Sequence, residues 1–384
     1  MKSLDVQYEK LSKGFVEVVP ENSFRKVLEK SISSNSPLNI KYGIDPTSTH
    51  IHLGFTVGLR KLKQFQDFGH NAIIIIGDYT ATIGDPSGKN SSRPRLSHED
   101  VLKNSETYLE QCFKILDRNK TKVVYNSSWF SKMSFSEVIS LLSKSTVSQM
   151  LERLDFKTRY EKRSPIYIHE FIYPLMQGFD SVIVNADIEI GGTDQKFNVL
   201  RGRELQQDSD GVVQIGMFLP ILLGICGKEK MSKSLGNVVG IDESPEEMFH
   251  KIYNIPDTVV DQWISLLSNV EISGDILEKK VGLALEIVSQ YYGKDVAEDC
   301  LKMEREKHTS KHLSKNLESV SWKWESFKAC LMECGNYKSG NELKNALKNR
   351  AIKVDGLVIS DFDSYPETSF VLSIGKNFIK RIEK

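Results

Sequence analysis

Asn71-Ala-Ile-Ile-Ile-Ile-Gly77-Asp78 is an apolar run with no polar alternation, cut off by a glycine. A strand with one face in water alternates. A run that does not alternate is covered on both faces, the condition of a strand inside a parallel sheet. Upstream, Leu38-Asn-Ile-Lys-Tyr42 reads as a second buried strand that stops at the breaker cluster Gly43-Ile-Asp45-Pro46. Between the two, Leu53, Val57, Leu59, Leu62 and Phe65 recur at near-helical spacing, so a helix begins close to His52. Strand, helix, strand over about forty residues is a right-handed βαβ unit. The chain is thereby committed to the α/β class.

In an open sheet of this kind the ligand sits outside the carboxyl ends of the strands. The first such end, Gly43 to His52, joins a tight turn to a helix start. Free N–H groups and the positive end of the helix dipole there suit a polyphosphate. The Gly-Lys-Ser/Thr ending of a P-loop is missing. The second end, Thr80-Ala-Thr-Ile-Gly84-Asp85-Pro86-Ser-Gly88-Lys89 with Arg93 and Arg95 beyond, converges on the same crevice.

The flanking chain adds further pieces. Residues 1–37 read as one or two amphipathic helices carrying Leu11, Phe15, Val16 and Val19, then Phe24, Val27 and Leu28. A helical pattern over 97–118 leads to a short strand, Lys122 to Tyr125, and 127–170 is mostly helical. Its basic residues Arg153, Lys157, Arg159, Lys162 and Arg163 read, on charge alone, as a solvated face. Tyr173, Gln177 and Asp180 stand at i, i+4 and i+7 among Ile172, Leu175, Met176 and Phe179. That is a buried helix with one polar stripe facing a pocket. Asp187 to Gln195 is strand, glycine turn and polar cluster, with Gly191 and Gly192 permitting close backbone approach to a ligand. Phe197, Val199, Leu200 and Leu205 mark a packing helix. Gly227 to Asn237 sets Lys230 and Lys233 among serines and glycines, a loop of strong anion donors.

Bulk properties narrow the class. A chain of 384 residues accommodates two or three domains. The formal net charge of +0 means that any nucleic-acid contact comes from local patches. Five scattered cysteines, with no second pair beside Cys330 and Cys334, suit free thiols in a reducing compartment better than disulfides or zinc. With no apolar stretch of about 18 residues and no signal-like start, the expectation is a cytoplasmic protein away from membranes.

At these motifs the sequence resembles a known family. His52-Leu-Gly54, entered through Gly43-Ile-Asp-Pro-Thr47, is similar to the His-Ile-Gly-His signature of class I aminoacyl-tRNA synthetases, with the approach typical of their tyrosyl branch. Lys230-Met-Ser-Lys-Ser234 equals the Lys-Met-Ser-Lys-Ser signature in full. One position departs: Phe55 stands where the family has its second histidine, and phenylalanine cannot hydrogen-bond a phosphate or a ribose.

The resemblance, to bacterial-type tyrosyl-tRNA synthetases, covers essentially the whole chain. It implies a Rossmann-like parallel-sheet catalytic domain over 1–240, with a dimer-forming and acceptor-stem insertion at about 125–175. An α-helical anticodon-binding domain over 241–317 would follow, then a small α+β S4-like RNA-binding domain over 318–384. Glu304 to Lys315 would be a linker, and Lys338, Lys344, Lys348, Arg350 and Lys353 a phosphate-facing edge.

The implied reaction is tyrosine adenylation by ATP and transfer to tRNA(Tyr). ATP would be a substrate with Mg2+ on its phosphates and no tightly bound protein metal, in a homodimer. Carried over by position, Lys230 and Lys233 meet the departing pyrophosphate, Thr47 the γ-phosphate side and His52 the reacting phosphates. Asp194 takes the ribose, and Gly43, Asp45, Gly54, Gly192, Met231, Ser232 and Ser234 complete the ATP contacts. Asp85 holds the L-tyrosine ammonium, flanked by Tyr173 and Gln177, with Tyr42 and Gln195 on the tyrosine side and Lys89 and Arg93 along the pyrophosphate exit. Asp180 accepts the phenol; because Lys41 replaces a tyrosine that often shares this task, specificity rests mainly on Asp180. A buried acceptor of that kind rejects phenylalanine, which leaves it unpaired. Two other functions are compatible with the same motifs. One is an RNA-binding or regulatory protein that no longer activates an amino acid. The other is an adenylate-forming enzyme serving another acceptor or a tyrosine analogue.

Overall fold

The apolar runs form the strands expected of them. The computed structural model describes residues 2–85, 97–209, 211–313, 318–362, 368–375 and 378–384, so Lys89, Arg93, Arg95 and Lys315 lie outside the described residues. The chain divides into two units, Met1–Ala297 and Glu298–Lys384.

The first unit is built on six strands: β1 (Glu17–Val19), β2 (Asn39–Ile44), β3 (Asn71–Ile76), β4 (Thr121–Tyr125), β5 (Ile188–Gly192) and β6 (Ile215–Leu219). Their order is β1-β6-β5-β2-β3-β4, parallel throughout except for β1, which runs antiparallel to β6. The chain winds from β2 towards β4 on one side and from β5 to β6 on the other. The order therefore reverses between β2 and β5, which meet only through Ile40 with Ile188 and Lys41 with Glu189. A crevice outside the carboxyl ends of these two strands is the consequence.

Two strands of this unit were not foreseen. Val19, read as helical, belongs to β1, because the first helix ends at Ser12 and Pro20 stops the short edge strand that follows. β6 is buried along its whole length, but Gly216 breaks its apolar run. A Cβ there would come within 2.8 Å of the Phe218 ring.

Four helices position the site: α1 (Leu53–Asp67), α2 (His98–Cys112), α3 (Ile172–Ile183) and α4 (Lys196–Asp208). α3 and α4 pack at their glycines, where a Cβ on Gly178 would lie 2.9 Å from the Gly202 nitrogen. Residues 127–161 form four short helices, Ser127–Phe130, Phe135–Leu142, Val147–Met150 and Leu154–Glu161. The basic stretch within them is not one solvated face. Lys157, Lys162 and Arg163 are exposed, whereas Arg153 and Arg159 are buried. Arg159 forks onto Glu170 at 2.5 and 2.8 Å, a pairing that offsets the desolvation of both charges.

Helices Pro245–Tyr253, Val260–Leu267 and Ile276–Tyr292 belong to the first unit. The next helix, Lys294–Leu313, runs through residues read as a linker. In the second unit, strands β7 (Ser319–Ser321), β8 (Ile352–Val354), β9 (Leu357–Val358), β10 (Phe370–Ile374) and β11 (Phe378–Glu383) make a sheet ordered β7-β11-β10-β8-β9. Helices Phe327–Cys334 and Gly340–Lys348 share its core through Phe327, Leu331, Leu343 and Phe370. Lys344, Lys348 and Arg350 border a groove of about 450 Å³ in this unit.

Candidate active site

Asp45 directly follows β2. Its carboxylate accepts the Thr80 hydroxyl at 2.9 Å and the Tyr173 hydroxyl at 2.8 Å, joining the turn after β2, the turn after β3 and helix α3. Asn126, directly after β4, donates to Thr80 Oγ1 at 3.0 Å and to Asp180 Oδ2 at 3.3 Å. Trp129 Nε1 donates to Asp180 Oδ1 at 3.0 Å. Asp180 is only 5% exposed. Burial pushes its carboxyl up to about 7, against the opposing pull of Lys41, Asn126 and Trp129. The result is a buried acceptor poised near neutrality.

A second carboxylate lies at Asp85. It takes Arg153 Nη2 at 3.2 Å and Gln195 Nε2 at 2.8 Å, so an incoming cation meets it already paired with a buried guanidinium. Asn198 links the groups behind it: it receives Arg153 at 3.0 Å and donates to Gln195 at 3.2 Å and to Gln177 Oε1 at 2.8 Å. Tyr42 is not brought to this cluster. Strand alternation turns it away from the Lys41 face, and its ring lies over Gly58 of α1, where a Cβ would be 2.5 Å from it. Its hydroxyl reaches the Phe55 carbonyl at 3.4 Å.

The other end of the crevice is the start of α1. His52 caps the helix, its Nδ1 accepting the Gly54 N–H at 3.2 Å. Burial, reinforced by Lys233 and Lys230, lowers its pKa to about 3. The imidazole is neutral at physiological pH, with its remaining N–H on Nε2. The Phe55 ring lies 4.9 Å from His52 and 6.2 Å from Tyr108, centroid to centroid.

The lysine loop folds onto this end. Lys233 Nζ donates to Ser48 Oγ at 2.6 Å and to the His50 carbonyl, and burial lowers its pKa to about 8. Met231 is buried, with Sδ 3.3 Å from the Gly54 nitrogen, and Lys230 pairs with Asp194 at 3.3 Å. Asn237 orders the loop by accepting Ser232 N–H at 2.8 Å and donating to the Lys230 carbonyl at 3.1 Å. The Ser232 and Ser234 hydroxyls are 2.9 Å apart. Thr47 sits in a tight turn, its N–H on the Asp45 carbonyl at 2.8 Å. An added Cβ would meet nothing within 4 Å at Gly43, but would come within 2.6 Å of Asp194 Oδ1 at Gly192. Among the described residues, no group of three or more His, Cys, Asp or Glu side chains is placed to hold a metal ion.

One crevice thus carries a buried carboxylate pocket at one end and, at the other, a helix N-terminus covered by two lysines. Residues 33–323 match the family described as class I tRNA synthetases (W and Y). The chain belongs to this family. Among its relatives, "Tyrosine--tRNA ligase" of Carboxydothermus hydrogenoformans is 45% identical, covering 98% of this chain and 97% of that protein. "Tyrosine--tRNA ligase 2" of Clostridium acetobutylicum is 41% identical over 100% and 99%. The fold is shared with the solved tyrosyl-tRNA synthetase of Archaeoglobus fulgidus, at a TM-score of 0.60 and 22% identity over 78% of this chain and 99% of that one.

Several residues of this candidate site carry little signal in the sequence. Asn126 and Trp129 follow a strand at the same sheet edge as the recognised turns, a signal that would have found Asn126. Arg153 was read only as one charge in a run. Asn198 carried no signal beyond its place in a packing helix.

Proposed function

We propose that this chain activates L-tyrosine with ATP and transfers the tyrosyl group to the 3′ end of tRNA(Tyr). The observation that carries the reading is the buried Asp180 carboxylate at the carboxyl ends of the same parallel strands whose turns carry His52, with Lys230 and Lys233 folded over that end. In the first step the tyrosine carboxylate oxygen bonds to the α-phosphorus of ATP, and the bond to the bridging oxygen breaks as pyrophosphate departs. Catalysis of this step is positioning and charge stabilisation. His52 donates from a neutral ring, and the loop lysines meet the charge on the leaving group. Lys230 exchanges Asp194 for phosphate, which frees Asp194 for the ribose. Asp85, Tyr173, Gln177 and Gln195 form the amino-acid end. In the second step a terminal ribose hydroxyl attacks the tyrosyl carbonyl and AMP leaves. Mg2+ would accompany the nucleotide phosphates and offset their charge as pyrophosphate leaves.

The working form is a cytoplasmic homodimer. Supporting the dimer, Phe135, Leu154 and Ile168, at 80%, 78% and 83% exposure, concentrate large apolar side chains on one sequence region. Supporting the location, no described helix is long and apolar enough to cross a membrane. The second unit's groove beside Lys344, Lys348 and Arg350 offers phosphate contacts to RNA. Tyrosine-dependent ATP–pyrophosphate exchange, with phenylalanine and tryptophan as controls, tests the reading. Exchange with tyrosine alone is expected. No exchange in protein that still binds tRNA would replace this reading with the RNA-binding alternative.

A further inference from the structure

We infer that Lys41 is a positioning residue for the tyrosine pocket. Its buried ammonium fastens the helix bearing Tyr173, Gln177 and Asp180 to the two strands between which the sheet reverses. The inference rests on the proposed activation of tyrosine. Lys41 on β2 and Glu189 on β5 are register partners, and their side chains are 0% and 2% exposed. The ammonium has three N–H bonds and three acceptors: Glu189 Oε1 at 2.9 Å, Ser181 Oγ at 2.7 Å and the Gln177 carbonyl at 2.8 Å. With its donors taken, Lys41 does not stand in for a phenol-binding tyrosine.

Its partner is held as fully. Glu189 receives Gln177 Nε2 at 3.2 Å, the Ser181 hydroxyl at 2.9 Å and Gln214 Nε2 at 2.6 Å. The pair grips α3 at Gln177 and again at Ser181, the turn that presents Asp180. From Gln177 the bonds continue through Asn198 to Gln195, Arg153 and Asp85. A single network therefore sets both ends of the amino-acid pocket. Apolar residues of similar volume would pack such a core without loss of stability, but would not hold the helix in one register against β2 and β5.

The test compares Lys41→Met, Glu189→Gln, the double variant and the milder Ser181→Ala in tyrosine-dependent exchange and thermal unfolding. Each charge-removing single variant strands a buried charge, so its Tm falls; the double variant strands none and recovers Tm. Misplacing reacting groups by about 1 Å costs about 10²-fold, so the KM for tyrosine in the recovered double variant should stay at least about tenfold high, with the KM for ATP unchanged. Ser181→Ala, which leaves no charge unpaired, should raise the tyrosine KM in the same direction and narrow the preference for tyrosine over phenylalanine. A folded double variant, or Ser181→Ala if the double variant does not fold, with wild-type tyrosine KM and preference overturns the inference and leaves a merely structural pair. Absence of exchange in the wild-type protein overturns the functional reading itself, and is recognised before any variant is compared.

Discussion

Replacing Trp129 by phenylalanine removes one N–H from Asp180 while keeping an aromatic ring against Phe130. The lost bond, 3.0 Å from Nε1 to Oδ1, is a charge-assisted one. Such bonds contribute about 1.5–3 kcal/mol, and 1.36 kcal/mol corresponds to one pKa unit, so the carboxyl should rise by roughly one to two units. Burial already pushes Asp180 up to about 7. Trp129→Phe should therefore move the acid limb of kcat/KM for tyrosine from about 7 to about 8–9. The sign follows from the acceptor's charge: a carboxyl that stays protonated to higher pH is a weaker partner for the phenol. At pH 7 the ionised fraction would drop from about half to roughly 0.1–0.01, a loss of about 5- to 50-fold in kcat/KM. The assay is tyrosine-dependent ATP–pyrophosphate exchange between pH 5.5 and 9.5, with kcat/KM for ATP followed at saturating tyrosine. An acid limb that stays at its wild-type pH, or an equal loss in both parameters, would refute the assignment of Asp180 as the ionised phenol acceptor.

Lys230→Ala and Lys233→Ala should each slow adenylate formation by about 10²–10³-fold while equilibrium dialysis finds tyrosine binding nearly intact; equal loss of both would count against the lysine roles. Because burial lowers Lys233 to about 8, kcat/KM for ATP should fall as pH rises through 8 and the ammonium loses its proton, and Lys233→Arg should abolish that fall. His70, held between the Leu38 N–H and Gln7, is lowered to about 4 by burial, whereas the unfolded chain protonates it near 6.5. Its contribution is thus present above pH 6.5 and lost as pH falls towards 4, so His70→Gln should show a smaller drop in urea-unfolding stability from pH 7 to pH 5 than the wild-type protein.

Local signals carried much of the fold. The unalternating isoleucine run gave β3 and the apolar spacing began α1 at Leu53 with His52 as its cap, whereas β2 runs on through Gly43 and Ile44 and closes only before Asp45-Pro46. The stripe of Tyr173, Gln177 and Asp180 lies on one helix, and Tyr173 and Asp180 are both buried. Most of the failures were non-local. No sequence window joins Lys41 to Glu189, because their pairing depends on β2 lying beside β5 after the chain between them has been folded elsewhere. Arg153 and Arg159 looked like their exposed neighbours because a buried cation differs from a solvated one only in having a carboxylate brought to it. Lys294–Leu313 was read in part as a linker on polarity alone, although Glu, Lys and Arg are good helix formers.

Phe55 shows how a departure from a motif is legible as a loss but not as a substitution of one effect for another. A second imidazole would offer the phosphates or ribose another donor, and phenylalanine removes it. What takes its place is a ring packed between His52 and Tyr108. Tyr108 in turn shares a hydrogen bond with Ser48 at 3.0 Å, and Ser48 receives Lys233 at 2.6 Å. Apolar cover over His52 strengthens the desolvation that, with the two lysines, holds the ring neutral. A neutral His52 presents one N–H and adds no charge to repel the loop lysines, so Lys230 and Lys233 can close over it. Phe55 thus exchanges a hydrogen-bonding position for apolar cover that keeps His52 neutral beside Lys233, which is itself held on Ser48 and the His50 carbonyl.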